Sequence, residues 1–184
     1  NKILSSPIKG TIKRSEDIKE DKHLKKKLEN SEKDRAEHLM IVDLIRNDIG
    51  KICQYGSVET KNLFKVHSFK TIHHMISDIS GKLNKNIEEI DIFRALFPGG
   101  SITGAPKESA MKIIDDIEDY QRGLYTGSIG IISANNDMIF NIAIRTLTLM
   151  NGKGIYPVGG GIVWDSNYKD ERDEAINKSK ILNI

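Results

Sequence analysis

Apolar and polar positions along the first half of the chain predict both strands and helices. Residues 1–11 have the character of an extended segment that runs into a turn, whereas the Lys- and Glu-rich residues 13–33 have little to bury and indicate a charged linker or an exposed helix. Closely spaced apolar residues over 34–47 predict a mostly buried helix. We expect short strands around 57–66 and a further helix over 73–80.

The spacing changes from helical to strand-like in the second half. Apolar residues recur at helical spacing over 106–120, where Pro106 suits a first helical turn. The pair Asn151-Gly152 is a type I′ hairpin signal, and helical periodicity returns from Asp170 onward. Strand-like spacing predicts an antiparallel meander at 127–133, 138–150 and 154–158, with a short strand that ends at Val163.

Composition and charge narrow the class of protein. The 184 residues can bury one sizeable core without disulfides or a structural metal, so one α+β unit is expected. The chain has 28 lysines and arginines against 26 acidic residues, and its net charge of +2 gives no global field that would favour nucleic acid or an anionic membrane. A small-molecule substrate fits this balance better.

Cysteine usage and hydropathy indicate a cytoplasmic location. The single Cys53 excludes an internal disulfide framework, suits a reducing compartment and is expected to be a buried apolar residue. No apolar run approaches the roughly 18 residues that a membrane span requires. We therefore expect a soluble protein of the cytoplasm.

The most informative short string is Pro7-Ile8-Lys9-Gly10-Thr11. A primary amine between an isoleucine and a Gly-Thr turn can be desolvated, lose its proton near neutral pH and act as a nucleophile. An ordinary surface lysine is the alternative, and this string without the other motifs favours that alternative. Lys9 remains a candidate nucleophile.

Two predicted helices carry carboxylates on one face. Asp34 and Glu37 precede an apolar stripe on the first buried helix, and the last helix carries Glu171, Glu174 and Lys178 at i, i+3 and i+7. Mg²⁺ binds one or two carboxylates directly and fills its octahedron with waters and substrate oxygens, so these helices can clamp the ion. A solvated face with a Glu-Lys pair is the alternative, and spacing alone favours it.

Other side chains leave further alternatives open. Arg145 has a fork that suits either a substrate carboxylate or a structural acid, and Tyr125 either donates a hydroxyl to the same group or packs. The chain has three histidines over 67–74 but no matching zinc ligand pair, so one histidine as general acid or base is more economical. The glycine strings at 99–107 and 159–161 lack the spacing of nucleotide-binding loops, although adjacent backbone N–H groups there can turn toward an anion.

Several longer strings together resemble one family, the chorismate-utilising enzymes. Beside the lysine string, they are Lys33-Asp34-Arg35-Ala36-Glu37, residues 40–50, 66–74 and 98–107, Ile144-Arg145-Thr146-Leu147, and residues 159–163 with Asp165-Ser166. Within that family the chain is similar to the carboxyl-terminal part of the aminodeoxychorismate synthase component I group, whose relatives include anthranilate synthase component I, isochorismate synthase and salicylate synthase.

The resemblance implies a fold and a domain assignment. The fold is α+β, with layered antiparallel β-sheets covered by helices, and residues 1–184 form the carboxyl-terminal portion of the chorismate-binding catalytic domain. It further implies that an amino-terminal half, with more strands of the fold and the surface that receives ammonia, is missing from this chain. Trp164 is bulkier than the residue expected at its position, and we expect it to alter packing near the glycine loop.

The resemblance also implies a reaction. Lys9 matches the lysine of aminodeoxychorismate synthases, whereas anthranilate synthases have alanine in the equivalent string. The implied reaction is attack of Lys9 on C2 of chorismate as the C4 hydroxyl leaves, followed by ammonia adding at C4, which gives 4-amino-4-deoxychorismate for folate synthesis. The alternatives are anthranilate-type amination at C2 with release of pyruvate, and a non-catalytic fragment that binds chorismate or another subunit.

Finally, the resemblance assigns site residues and partners. Lys9 and His74 match catalytic residues, with His74 as general acid at the departing hydroxyl. The metal is Mg²⁺, with Glu37 and Glu174 as ligands and Asp34 and Glu171 as carboxylates that hold its waters. The matching substrate-binding residues are Gly10, Thr11, Ser101, Tyr125, Arg145, Gly159, Gly160, Gly161 and Lys178. The implied partners are chorismate and ammonia from a glutamine amidotransferase subunit, component II.

Overall fold

The structure is a computed structural model that describes residues 1–164 and 166–180. The chain forms two compact units, one over Asn1–Leu96 and one that begins at Phe97. Both contain helices and antiparallel strand pairs, which confirms the predicted α+β class. None of the described helices is long and apolar enough to cross a membrane.

The first unit is a four-stranded antiparallel sheet with three helices. Its elements are β1 (Lys2–Ser5), β2 (Ile8–Lys13), α1 (Ile18–Glu29), α2 (Glu32–Gly50), β3 (Glu59–Ser68), β4 (Ile72–Lys82) and α3 (Glu89–Leu96). Strand β4 is central: it pairs with β3 along one side and with β1 and β2, end to end, along the other.

The expected helix over 73–80 is wrong, because these residues belong to strand β4. Its apolar residues recur at helical spacing, which favoured the helix. The fully buried side chains are instead His73, Met75, Ser77 and Ile79, which alternate with the period of two that a strand requires. Two of the four are polar, so hydropathy concealed the alternation.

Helix α2 supplies much of the core of this unit. Val42 and Ile49 pack in a buried cluster with Ile79 of β4. Cys53 belongs to the same cluster, which confirms that it is buried, and burial raises the pKa of its thiol. The charged segment 13–33 mostly forms helix α1, which is exposed along much of its length.

The second unit has two separate antiparallel strand pairs, β5 with β6 and β7 with β8. Its elements are α4 (Gly100–Thr103), α5 (Lys107–Ile117), β5 (Ser128–Ile132), β6 (Met138–Ile142), β7 (Thr148–Met150), β8 (Lys153–Ile155) and α6 (Tyr168–Ser179). The continuous strand expected over 138–150 and the short strand expected up to Val163 are therefore wrong.

Backbone conformation distinguishes the predicted hairpin at Asn151-Gly152 from the interrupted strand over 138–150. Asn151 and Gly152 have φ angles of 52° and 74°, both positive as a type I′ turn requires, and they join β7 to β8 as predicted. The 138–150 segment is interrupted between β6 and β7, and Arg145 in this interruption has a left-handed backbone with φ of 51°.

Candidate functional site

Lys9 lies at a β-bulge in strand β2 of the first unit. Ile8 pairs with Ile76 and Thr11 pairs with His74, so Lys9 and Gly10 together oppose a single residue of β4. Gly10 has a φ of 79°, a conformation that glycine adopts readily. The Ile-Lys-Gly-Thr string is thus the sequence of a bulge, with Lys9 partly buried at its first position.

Helix α2 begins beside this bulge. A Cβ atom at position 10 would lie 3.2 Å from Oδ1 of Asp34, so a larger residue there would press against the first turn of α2. Glu37, one turn further along α2, is partly exposed and its carboxylate lies 4.0 Å from Nζ of Lys33. The first unit therefore brings the bulge close to Asp34, and Glu37 follows on the same helix.

His38 is a buried residue at this place that the sequence analysis did not single out. Its side chain is fully buried, and Nε2 lies 2.7 Å from Oγ of Ser77, which also accepts a hydrogen bond from Phe64 N–H at 3.0 Å. Burial lowers the pKa of His38, and the neighbouring Lys9 backbone opposes that shift. The other ring nitrogen, Nδ1, is buried and has no hydrogen bond of normal geometry with any described residue. The imidazole is therefore neutral at pH 7.

The hydroxyl of Thr11 contacts the predicted general acid. Thr11 and His74 are direct partners across β2 and β4, and the distance from Thr11 Oγ1 to His74 Nδ1 is 2.7 Å. The ring of His74 also lies edge-on to Phe69, with centroids 5.6 Å apart. These contacts fix the orientation of the imidazole of His74.

The neighbouring histidines have different surroundings. His73 lies on the buried side of β4, where Nε2 is 3.0 Å from Oδ1 of Asp21 and Nδ1 is 2.9 Å from Oγ of Ser68. His67 is the cross-strand partner of His74. No group of three or more His, Cys, Asp or Glu side chains suited to a metal occurs among the described residues.

A second group of predicted residues meets in the second unit, around the glycine loop, which we define as residues 159–161. A Cβ atom at Gly159 would lie 2.8 Å from the hydroxyl oxygen of Tyr125, and Nζ of Lys178 donates a hydrogen bond to the Gly159 carbonyl at 2.9 Å. A Cβ atom at Gly160 would lie 3.1 Å from Oε2 of Glu171. Close approach of these side chains explains the first two glycines.

Helix α6 presents its charged face to this loop. Ser166 donates a hydrogen bond to Glu171 at 2.6 Å, and Nζ of Lys178 lies 2.5 Å from the carboxylate of Glu174. Burial raises the pKa of the Tyr125 hydroxyl, so the phenol is neutral and able to donate. Two carboxylates, one ammonium and one phenol therefore surround the glycine loop.

Arg145 lies beside the same helix. It lines a cavity of about 520 Å³ together with Glu174 and Lys178. The remaining lining residues, all on α6, are Asp170, Asp173 and Asn177. Two cations and three carboxylates thus face one open space, in which Lys178 is paired with Glu174 and Arg145 is the other positive charge.

The other predicted residues of this unit lie in less crowded surroundings. Ser101 is half-buried in the short helix α4, and Gly161 would meet nothing within 4 Å if it carried a Cβ. Trp164 is fully exposed, so the expected change in packing near the glycine loop does not occur through burial of its ring. Asp165 lies outside the described residues.

Comparisons with known proteins agree on one family. The family model described as chorismate binding enzyme matches residues 1–183. The chain is 49% identical over 178 residues to aminodeoxychorismate synthase component 1 of Escherichia coli, which covers 97% of this chain and 39% of that protein. It is 42% identical over 181 residues to anthranilate synthase component 1 of Aquifex aeolicus, which covers 98% of this chain and 37% of that protein.

A solved structure agrees with these matches. The crystal structure of anthranilate synthase component I from Streptococcus pneumoniae superposes with a TM-score of 0.88 at 40% identity, over 97% of this chain and 39% of that one. The chain spans about two fifths of the length of these three relatives. With a family model that matches almost its whole length, the chain belongs to the chorismate binding enzyme family.

Proposed function

We propose that the protein aminates chorismate at C4 and forms 4-amino-4-deoxychorismate through a covalent adduct on Lys9. The observation that carries this proposal is the position of Lys9, partly buried at a bulge whose backbone lies beside the buried imidazole of His38, two residues before the Thr11–His74 pair. The name of the 49% identical relative, aminodeoxychorismate synthase component 1, supports the same product. The reaction belongs to folate synthesis.

The chemistry divides one displacement into two steps. Lys9, as a free amine, attacks C2 of chorismate while the C4 hydroxyl leaves, and His74 supplies the proton that makes the leaving group water. Ammonia then adds at C4 and expels the neutral lysine amine, and the ammonium group formed at C4 gives back the proton that His74 donated. The hydrogen bond between Thr11 and His74 supports this role because it orients the imidazole.

The substrate has two carboxylates, and the residues around the glycine loop are candidates for one of them. Arg145 offers a bidentate fork, Tyr125 a neutral hydroxyl, and Lys178 a second positive charge. The cavity that Arg145 shares with Lys178 supports this assignment. We assign these three residues to the enolpyruvyl carboxylate.

Mg²⁺ is the proposed cofactor, with Glu37 and Glu174 as ligands and Asp34 and Glu171 as outer carboxylates. The donor chemistry in the second unit fits, since the carboxylates of Glu171 and Glu174 both approach Gly160, at 3.1 and 3.7 Å from a Cβ placed there. Hard carboxylate oxygens, one or two at a time, are the ligands that Mg²⁺ uses in proteins. When bound, the ion would neutralise the ring carboxylate of the substrate.

An anthranilate-type reaction is the second candidate. Relatives named anthranilate synthase component 1 are 42 and 44% identical to this chain, close to the values for the aminodeoxychorismate synthases. Lys9 favours the first candidate, because a nucleophile at that position has no role in direct amination at C2. The names "component 1" and "component I" further support a partner subunit, which we propose to be a glutamine amidotransferase that supplies ammonia.

Product analysis separates the two reactions. The purified protein is incubated with chorismate, Mg²⁺ and ammonium, and the small molecules are identified by mass spectrometry. We expect 4-amino-4-deoxychorismate without pyruvate. Anthranilate with an equal amount of pyruvate would replace the proposal by the second candidate, and chorismate binding without any product would mean that this chain only binds.

A further inference from the structure

We propose that Arg122 is a positioning residue that holds the Tyr125 hydroxyl at the glycine loop, and that Glu118 holds Arg122. The substrate-related part of this inference rests on the proposed function, in which Tyr125 binds a carboxylate of chorismate. Neither Arg122 nor Glu118 belongs to the residues that the sequence singled out. The inference comes from the contacts that these side chains make in the second unit.

The first contacts join Arg122 to Glu118. Nε and Nη2 of Arg122 donate to the two carboxylate oxygens of Glu118 at 2.7 and 2.6 Å, a bidentate pair in which each side chain is about three-quarters buried. The Arg122 guanidinium lowers the pKa of Glu118, and the Glu118 carboxylate raises the pKa of Arg122, so both remain charged near neutral pH. A paired and partly buried fork of this kind is geometrically well defined.

The next contacts join Arg122 to Tyr125. The guanidinium carbon lies 5.6 Å from the centroid of the Tyr125 ring, within the range of a cation–π contact. The Tyr125 N–H donates to the Arg122 carbonyl at 3.0 Å, which closes a tight turn between the two residues. Arg122 thus limits the motion of both the ring and the backbone of Tyr125.

The backbone after Tyr125 is fixed as well. Thr126 is buried with a φ of 68°, and its N–H donates to the Ala143 carbonyl at 3.0 Å. Nη1 of Arg122 lies 3.4 Å from Thr126 Oγ1. Because the backbone at Thr126 is held in place, the main motion left to Tyr125 is rotation of its side chain. Arg122 packs against the ring of Tyr125 and restricts that rotation.

The charges explain why Arg122 positions and does not itself bind the substrate. The Nε–Nη2 edge of its guanidinium is occupied by Glu118, and the negative charge of Glu118 offsets the positive charge that would attract a ligand carboxylate. Its remaining influence falls on Tyr125, whose pKa burial raises and Arg122 lowers. Arg122 therefore acts through Tyr125.

A phenol titration tests the contact without any substrate. Tyr125 is followed by ultraviolet difference spectra against Tyr125→Phe, in the unaltered protein and in Arg122→Gln. Loss of the guanidinium in Arg122→Gln should raise the pKa of Tyr125. Glu118→Gln keeps Arg122 in place, so the pKa of Tyr125 should be lower in Glu118→Gln than in Arg122→Gln. An unchanged pKa in Arg122→Gln, with near-ultraviolet circular dichroism that shows a folded protein, would overturn the inference.

A double-mutant cycle tests the positioning role. Arg122→Gln should weaken chorismate binding roughly tenfold, as expected for a disturbed hydrogen bond to a charged group. In the Tyr125→Phe background the same substitution should have no further effect on binding. A full second loss would show that Arg122 acts by another route and would overturn the inference. If the unaltered protein does not bind chorismate, the proposed function fails and the phenol titration alone decides whether Arg122 positions Tyr125.

Discussion

Thr11 and His74 are cross-strand partners whose side chains meet, with Oγ1 of Thr11 2.7 Å from Nδ1 of His74. The pair connects the strand that carries Lys9 to the predicted proton donor. The contact is a consequence of the bulge, which sets the register of every residue after Gly10. The first prediction tests this contact.

Replacing Thr11 by valine keeps the shape of the side chain and removes its hydroxyl. We expect kcat to fall about five- to tenfold, because a neutral hydrogen bond contributes on the order of 1 kcal/mol to the orientation of the imidazole. Steady-state kinetics with chorismate measures the effect. Thr11→Ser retains the hydroxyl and serves as the control; equal losses in both variants would show that the methyl group, and not the hydrogen bond, matters.

The buried His38 should be important for stability. His38→Ala removes a fully buried ring and leaves the Ser77 hydroxyl without this partner, so we expect a loss of about 2–4 kcal/mol in the free energy of unfolding. Urea unfolding measures it, with the exposed His23→Ala as matched control. A change below about 0.5 kcal/mol, the range typical of surface positions, would contradict the packing described here.

His38 should also make the free energy of unfolding depend on pH, with lower stability in acid. The pKa of His38 is lowered in the folded state, so the unfolded chain binds its proton first as the pH falls. The contribution of the neutral ring is complete above the ordinary histidine pKa of about 6.5 and is lost as the pH falls through the lower folded value. The unfolding free energy of the unaltered protein should therefore fall more steeply below about pH 6.5 than that of His38→Gln. Equal slopes would contradict the burial effect.

The glycine loop should tolerate a methyl group at one position and not at another. Gly159→Ala would place Cβ 2.8 Å from the Tyr125 hydroxyl oxygen, whereas Gly161→Ala would meet nothing within 4 Å. We expect the first substitution to displace Tyr125 and weaken chorismate binding roughly tenfold, and the second to change it less than twofold. Isothermal titration calorimetry gives both dissociation constants. Equal effects would mean that space around Tyr125 is not the reason for glycine at position 159.

Glu174 is predicted to serve the metal. Glu174→Gln keeps the size of the side chain but removes its charge, so the Mg²⁺ concentration for half-maximal activity should rise at least about tenfold. The control is Glu108→Gln, an exposed position in α5. An Mg²⁺ titration of Glu174→Gln that coincides with that of the unaltered protein would place the ligands elsewhere.

Local sequence rules predicted the elements whose signals are local. The Asn151-Gly152 hairpin follows from two residues that accept positive φ, and helix α5 follows from apolar periodicity with few competing signals. The helix predicted over 73–80 is wrong because two fully buried positions of strand β4, His73 and Ser77, are polar and hide its alternation. Their burial depends on partners in other elements, which spacing does not reveal.

Some residues of the candidate site were predicted from sequence motifs, and others are identified only by their contacts in the structure. The glycine loop and the carboxylates of α6 were visible as motifs, but the reason for Gly159, the Tyr125 hydroxyl, comes from 34 residues earlier in the chain. His38 was missed although it lies three and four residues before the buried Ile41 and Val42, a spacing that indicates the same helix face. Arg122 carries no motif, and only its contacts identify it.

The most direct test of the account is the covalent state of Lys9. The protein is mixed with chorismate and Mg²⁺ without ammonia, and its intact mass and peptides are measured by mass spectrometry. We predict an adduct on Lys9 with the mass of chorismate less one water, present in Lys13→Ala, which alters an exposed lysine of the same strand, and absent in Lys9→Ala. An adduct that persists in Lys9→Ala, or a protein that converts chorismate to aminodeoxychorismate with Lys9 replaced, would contradict the account.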